Sequence, residues 1–169
     1  MTKLRASDGA RLGNFPLRGS AYDIAFDGAN MWVSNSSGDA VTKLRASDGA
    51  VLAIIPVGKN PLGLLFDGAN VWVALADNER VAKLRASDGA ILGKFQVGGH
   101  SFALAFDGAG IWVTLNDKQL VKRLSASDGT IRQSVPVGDT PQAITFDGSS
   151  IWVANELSNT VTKISKNHP

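Results

Sequence analysis

One sequence block returns along this chain at a fixed interval. Thr2-Lys3-Leu4-Arg5-Ala6-Ser7-Asp8-Gly9 recurs unchanged at residues 42–49 and returns at 82–89 with Ala82 in place of threonine. It comes back once more as Lys122-Arg123-Leu124-Ser125-Ala126-Ser127-Asp128-Gly129. Phe-Asp-Gly recurs at Phe26, Phe66, Phe106 and Phe146, and Trp-Val at Trp32, Trp72, Trp112 and Trp152, so the period is 40 throughout. The 169 residues therefore read as one unit, 1–169, made of repeats 1–40, 41–80, 81–120 and 121–160 and a partial fifth repeat, 161–169. A repeat of this size cannot bury its apolar face alone and is stable only when stacked on its neighbours.

Within the repeat the apolar pattern is that of strands. In the second copy, residues 62–66 and 71–75 flank Asp67-Gly68-Ala69-Asn70, and residues 81–85 and 90–97 flank Ser87-Asp88-Gly89. Asp-Gly between apolar runs predicts tight hairpins, because glycine takes the positive φ such turns need. No segment keeps a helical apolar spacing, and valine, isoleucine, phenylalanine and tryptophan dominate. Four strands per forty residues is the period of a β-propeller blade. The predicted fold is all-β: a propeller of four-stranded antiparallel blades, about four per chain. A β-solenoid, the alternative, has shorter coils and no such paired turns.

The run Ile151-Trp152-Val153-Ala154-Asn155-Glu156-Leu157-Ser158-Asn159-Thr160-Val161 resembles the repeat of the YVTN family of β-propellers. Phe66-Asp67-Gly68-Ala69-Asn70-Val71-Trp72-Val73 is also similar to streptogramin (virginiamycin B) lyase-like propellers. The resemblance runs through every copy and implies a propeller fold. For function it implies binding, scaffolding or lyase chemistry alike, since fold does not set function. These families commonly have about seven blades.

Naming the strands of a blade A to D from the axis outwards, the chain reads C, D, then A to D three times, then A, B, C. A ring closes if residues 11–17 supply the outer D strand to the C-terminal blade, since closure removes exposed edges. Whether that blade belongs to the same chain is left open by the sequence. Two chains combining into an eight-bladed homodimer is the expected partnership. A truncated or engineered stretch of a longer array, self-assembling without a native ligand, is a further reading.

The copies differ mainly in the D-to-A and B-to-C connections, which share one face of a propeller, while the Asp-Gly turns on the other face barely vary. Loops on a rigid scaffold carry function more often than strands do. Seven acids, Asp23, Asp39, Asp77, Glu79, Asp117, Asp139 and Glu156, fall on the variable face with four bases, Arg18, Lys59, Arg80 and Lys118, for a net of −3. The remainder carries thirteen bases against eight turn aspartates, a net of +5. An acidic face disfavours nucleic acid and favours a cationic or polar small molecule or a protein. The candidate ligand-binding residues there are Tyr22, Asp23, Lys59, His100, Phe102, Asp139 and Gln142. Of these, Tyr22, Phe102 and Gln142 share with Leu62 one repeat position beside the central channel.

The tryptophans and the Phe-Asp-Gly phenylalanines are expected in the core, and the bases of strand C (Lys3, Arg5, Lys43, Arg45, Lys83, Arg85, Arg123) on a solvated flank. A non-catalytic binding or scaffold module is the leading functional reading. The alternative is a lyase, for which the resemblance implies a histidine base and a divalent cation. His100 is the one histidine inside the repeats, with His168 in the tail. No thiol nucleophile, phosphate loop or zinc cluster is present in the sequence, so no cofactor and no metal are expected, although Asp77 with Glu79 gives two carboxylates for calcium. Asn35-Ser36-Ser37 meets the glycosylation sequon. The longest apolar run, residues 51–57, is far below the ~20 residues of a membrane span, and the first residues do not read as a signal peptide, so no membrane contact is expected. The compartment is left open.

Overall fold

A computed structural model describes residues 1–17 and 19–165; Arg18 and His168 lie outside the described residues. Seventeen strands are present among them, in the order C, D, three times A to D, then A, B, C. β1 (Thr2–Leu4) and β2 (Arg11–Asn14) pair with each other. β3 (Ala21–Phe26), β4 (Asn30–Asn35), β5 (Ala40–Arg45) and β6 (Val51–Pro56) form the first complete sheet. β7 (Pro61–Phe66), β8 (Asn70–Leu75), β9 (Arg80–Arg85) and β10 (Ile91–Gln96) form the second. β11 (Ser101–Phe106), β12 (Gly110–Leu115), β13 (Leu120–Ser125) and β14 (Ile131–Pro136) form the third. β15 (Pro141–Phe146), β16 (Ser150–Asn155) and β17 (Thr160–Ser165) make a three-stranded sheet. All pairings are antiparallel.

These sheets stack as propeller blades do, with β3, β7, β11 and β15 against one another on the inside. They do not close into a ring: β2 pairs with β1 and adds no strand to β15–β17, which corrects closure within the chain. The core is a set of layers between blades. Trp32, Val41 and Val57 of one blade pack on Leu64, Val71 and Val73 of the next, and the pattern repeats around Trp72 and around Trp112. Trp32, Trp72 and Trp112 are fully buried, whereas Trp152 is 36% exposed on the last blade. Phe26, expected in the core, is exposed at the first blade.

The Asp-Gly turns are wider than two-residue hairpins. Arg45 N–H donates to Ala50 O and Gly49 N–H to Arg45 O, leaving four residues between the closing pair, with Gly49 at φ 74°. Asp48 accepts from Ala50 N–H and pairs with Arg45. In the other turn Asp27 accepts from the backbone of Ala29 and Asn30 and from Trp32 Nε1–H.

The strand C lysines are not a solvated flank. Lys43 is buried, its Nζ donates to Ala86 O at 2.6 Å in the next blade, and it lies 5.0 Å from the Trp32 ring centroid. Lys3 reaches Ala46 O and Lys83 reaches Ala126 O in the same way. A buried ammonium needs such partners, and here they tie each blade to its successor. Arg123 turns instead to Asp107 of its own blade, at 2.7 Å.

Candidate functional site

The variable face is built from two recurring hydrogen bonds. In every copy the first N–H of the B-to-C turn donates to the carbonyl of the D-to-A loop, from Ser36, Ala76, Asn116 and Glu156 to Ser20, Asn60, His100 and Thr140. A side chain of the same turn then accepts a backbone N–H from that loop. In the first and third copies Ser37 and Asp117 hold Ser20 and His100; in the second and fourth Asn78 and Ser158 hold Lys59 and Asp139. The shift by one residue goes with the backbone: Asn60 and Thr140 take φ 51°, whereas Ser20 and His100 at the same repeat position do not take positive φ. Much of the variation on this face is thus two solutions to one loop-holding problem.

This accounts for several of the expected site residues. Lys59 and His100, which are exposed, and Asp139, which is partly buried, enter these clamps through their backbone. Asp23 accepts from Leu64 N–H at 2.8 Å and from its own Ile24 N–H, which ties the first blade to the second. Asp77 accepts from Asn60 Nδ2, and Gln96 Nε2 donates to Glu79, so each carboxylate of the calcium candidate has its own protein donor. Among the described residues no group of three or more histidine, aspartate or glutamate side chains could hold a metal ion. Burial beside Asp117 is outweighed by His100 N–H and Lys118, which hold its carboxyl below the ordinary value. Asn35 is 1% exposed and bonded to Thr42, so the sequon is closed to glycosylation in the fold.

Tyr22 and Phe102 are brought together. Each sits in a break in its A strand: Ala21 pairs with Asn35 and Ile24 with Val33, so residues 22 and 23 face one residue, Ser34, and β11 repeats this opposite Thr114. Ser34 and Thr114 accept the N–H groups the break releases, from Asp23 and Ala103. Such a bulge re-aims side chains, and the two rings meet edge to face at 5.7 Å and 87° across the intervening blade, where Leu62 is buried. Gly63 makes this approach possible, because a Cβ there would meet Phe102 O at 2.5 Å. Tyr22 stays half exposed; burial and then the Asp23 charge push its hydroxyl pKa up. Gln142 does not join the pair: its Nε2 donates to Glu156 at 2.6 Å, beside a cavity of about 550 Å³ in the last blade. Ser34, Thr114 and Gly63 were not among the expected site residues, and only comparison of β3 with β11 across repeats would have marked them.

No known family pattern and no curated protein matches this chain. Solved structures do. A functionally unknown protein from Desulfotomaculum acetoxidans matches with a TM-score of 0.86 at 17% identity, over 99% of this chain and 59% of that one. Streptogramin B lyase matches at 0.79 and 19% identity, over 99% and 62%. Hydrazine synthase of Kuenenia stuttgartiensis matches at 0.78 and 19%, over 86% and 46%. The shared feature is the blade fold. The chain spans between 46% and 62% of the length of these structures, and at such identity the likeness carries architecture alone.

Proposed function

We propose that this chain is a non-catalytic propeller module that binds an organic cation at the inner end of its variable face. The observation that carries this reading is the Tyr22–Phe102 pair. Two aromatic rings beside a carboxylate, Asp23, on a face whose loops carry more acids than bases, offer a cation aromatic π density and a negative field. The pair is held by bulges, hydroxyl partners and a glycine approach, so the ordering cost falls largely on folding and little on binding. The lyase reading finds less support: the described contacts of His100 are through its backbone, and among the described residues no second titratable group engages its imidazole, as a general base would require.

Calorimetric titration with tetramethylammonium tests the proposal. Saturable binding is expected, weakened about tenfold or more in Tyr22→Ala, with sulfate giving no heat. Binding unaffected by Tyr22→Ala would overturn the site. Turnover of a cyclic ester that is lost in His100→Ala would overturn the non-catalytic reading.

A further inference from the structure

The two ends of the blade stack expose the repeat positions that the interior buries. Val161 is 64% exposed, where Val41, Val81 and Val121 are at 0%, and Trp152 is the only exposed tryptophan among the four. At the other end Ile24 is 45% exposed, where Leu64 and Leu104 are 7% and 8%. In the first interior layer Trp32 and Val41 pack on Leu64, Val71 and Val73. One repeat earlier, those last three positions are Ile24, Met31 and Val33; three repeats later, Trp32 is matched by Trp152 and Val41 by Val161. The outer faces of the last and first blades are therefore the two halves of an interface this chain already forms internally.

The lysine clasp sets the register. Lys163 lies 4.9 Å from the Trp152 ring centroid, as Lys43 lies 5.0 Å from that of Trp32, but among the described residues it has no next-blade carbonyl such as Lys43 holds. β1 and β17 are the same strand of the repeat. β1 covers three residues and is bonded to the D strand β2, whereas β17 covers six and has no D strand beside it among the described residues. We infer that β17 of one copy replaces β1 on β2 of a second copy. Thr162 then stands opposite Asn14 and Lys163 opposite Gly13, the places now held by Thr2 and Lys3, and Lys163 donates to Ala46 and Ser47 of the second copy as Lys3 does in the single chain. Trp152 and Val161 cover Ile24 and Met31. A second copy fits because the surface required is this chain's own repeat, carbonyl acceptors included. The contact is heterologous, so two copies exchanging β17 reciprocally close a ring of about eight four-stranded blades, within the range propellers adopt. This inference does not depend on the ligand reading.

The chain has no cysteine, so Asn14→Cys with Thr162→Cys introduces the only thiols. Oxidation is expected to join two chains covalently, and the unmodified protein is expected to sediment at twice the 17.7 kDa chain mass. Val161→Asp, at a site exposed in the single chain, is expected to leave the fold intact and weaken the dimer about tenfold or more. A 17.7 kDa species at micromolar concentration would overturn the inference. So would a dimer that the Asn14/Thr162 pair fails to cross-link, a ladder of higher multiples, or a Thr2→Cys/Asn14→Cys pair that closes within one chain while the Asn14/Thr162 pair stays reduced.

Discussion

Trp72 Nε1–H donates to Asp67 Oδ2 at 2.7 Å, and the same bond joins Trp32 to Asp27, Trp112 to Asp107 and Trp152 to Asp147. One carboxylate thus closes the A-to-B turn through backbone N–H groups and fixes the indole that fills the layer between blades. The invariant Asp of Phe-Asp-Gly does a packing job as well as a turn job. Its loss should therefore be felt according to how deeply each copy is buried.

Replacing these aspartates with asparagine is expected to give a graded series. Asp107→Asn should cost the most, about 3–5 kcal/mol, because Asp107 is 1% exposed and its removal leaves the Arg123 guanidinium partly buried without its charge partner. Asp67→Asn should cost about 1–3 kcal/mol, and Asp147→Asn, at an exposed turn, the least. Urea unfolding of the three variants checks the order.

Acid should unfold the protein through the same groups. Burial alone would raise the carboxyls of Asp27 and Asp67, yet the indole and backbone N–H donors hold both below the ordinary 3.8; Asp107 is held lower still by Arg123, and Asp128 is brought down to about 2 by Thr130. A carboxyl depressed in the folded state contributes stability that is complete above the unfolded value and is lost as pH falls through the folded one. Stability is expected to be flat from neutrality to about pH 4 with respect to these groups and to decline below it. Urea midpoints measured from pH 7 to pH 2 follow this directly, and the decline should be shallower in Asp107→Asn.

Lys83→Met removes the donor to Ala126 O and the cation beside Trp72 while keeping the aliphatic stem. A loss of about 1.5–3 kcal/mol is expected, the range for a hydrogen bond to a charged group. Lys163→Met in the single chain should be near neutral. Thermal unfolding at low concentration separates the two.

Gly63→Ala should push β7 and β11 apart, since the new methyl would meet backbone atoms of Phe102 and Ala103. Overpacking of this kind costs about 1–3 kcal/mol, and the Tyr22–Phe102 contact should loosen with it. Nuclear Overhauser contacts between the two rings are expected to weaken in the variant.

The repeat made the strand order legible, down to the C, D start and the A, B, C finish. Each blade carries its own apolar alternation and turn residues, and those are local signals. The lysine clasp was not legible, because Lys43 finds Ala86 only when two blades stack, and in one repeat it reads as an ordinary edge charge. The same holds for the variable face. Asp23, Asp77 and Asp117 read as free acids along the chain, but Asp77 and Asp117 each accept a hydrogen bond from a D-to-A loop, and Asp23 accepts one from a strand of another blade. Tyr22 and Phe102 shared a repeat position that pointed to the channel, while their meeting across a buried Leu62 depends on bulges that the sequence pattern does not mark.

The account rests on ligand recognition by the variable face at Tyr22, with the Asp-Gly face serving structure. Tyr22 is the only tyrosine and the chain has four tryptophans, so ring and indole N–H resonances report on the two faces separately. In a nuclear magnetic resonance titration with tetramethylammonium, the Tyr22 and Phe102 ring signals are expected to shift together and saturate while the four indole signals stay in place. Indole shifts with a stationary Tyr22 ring would contradict the account.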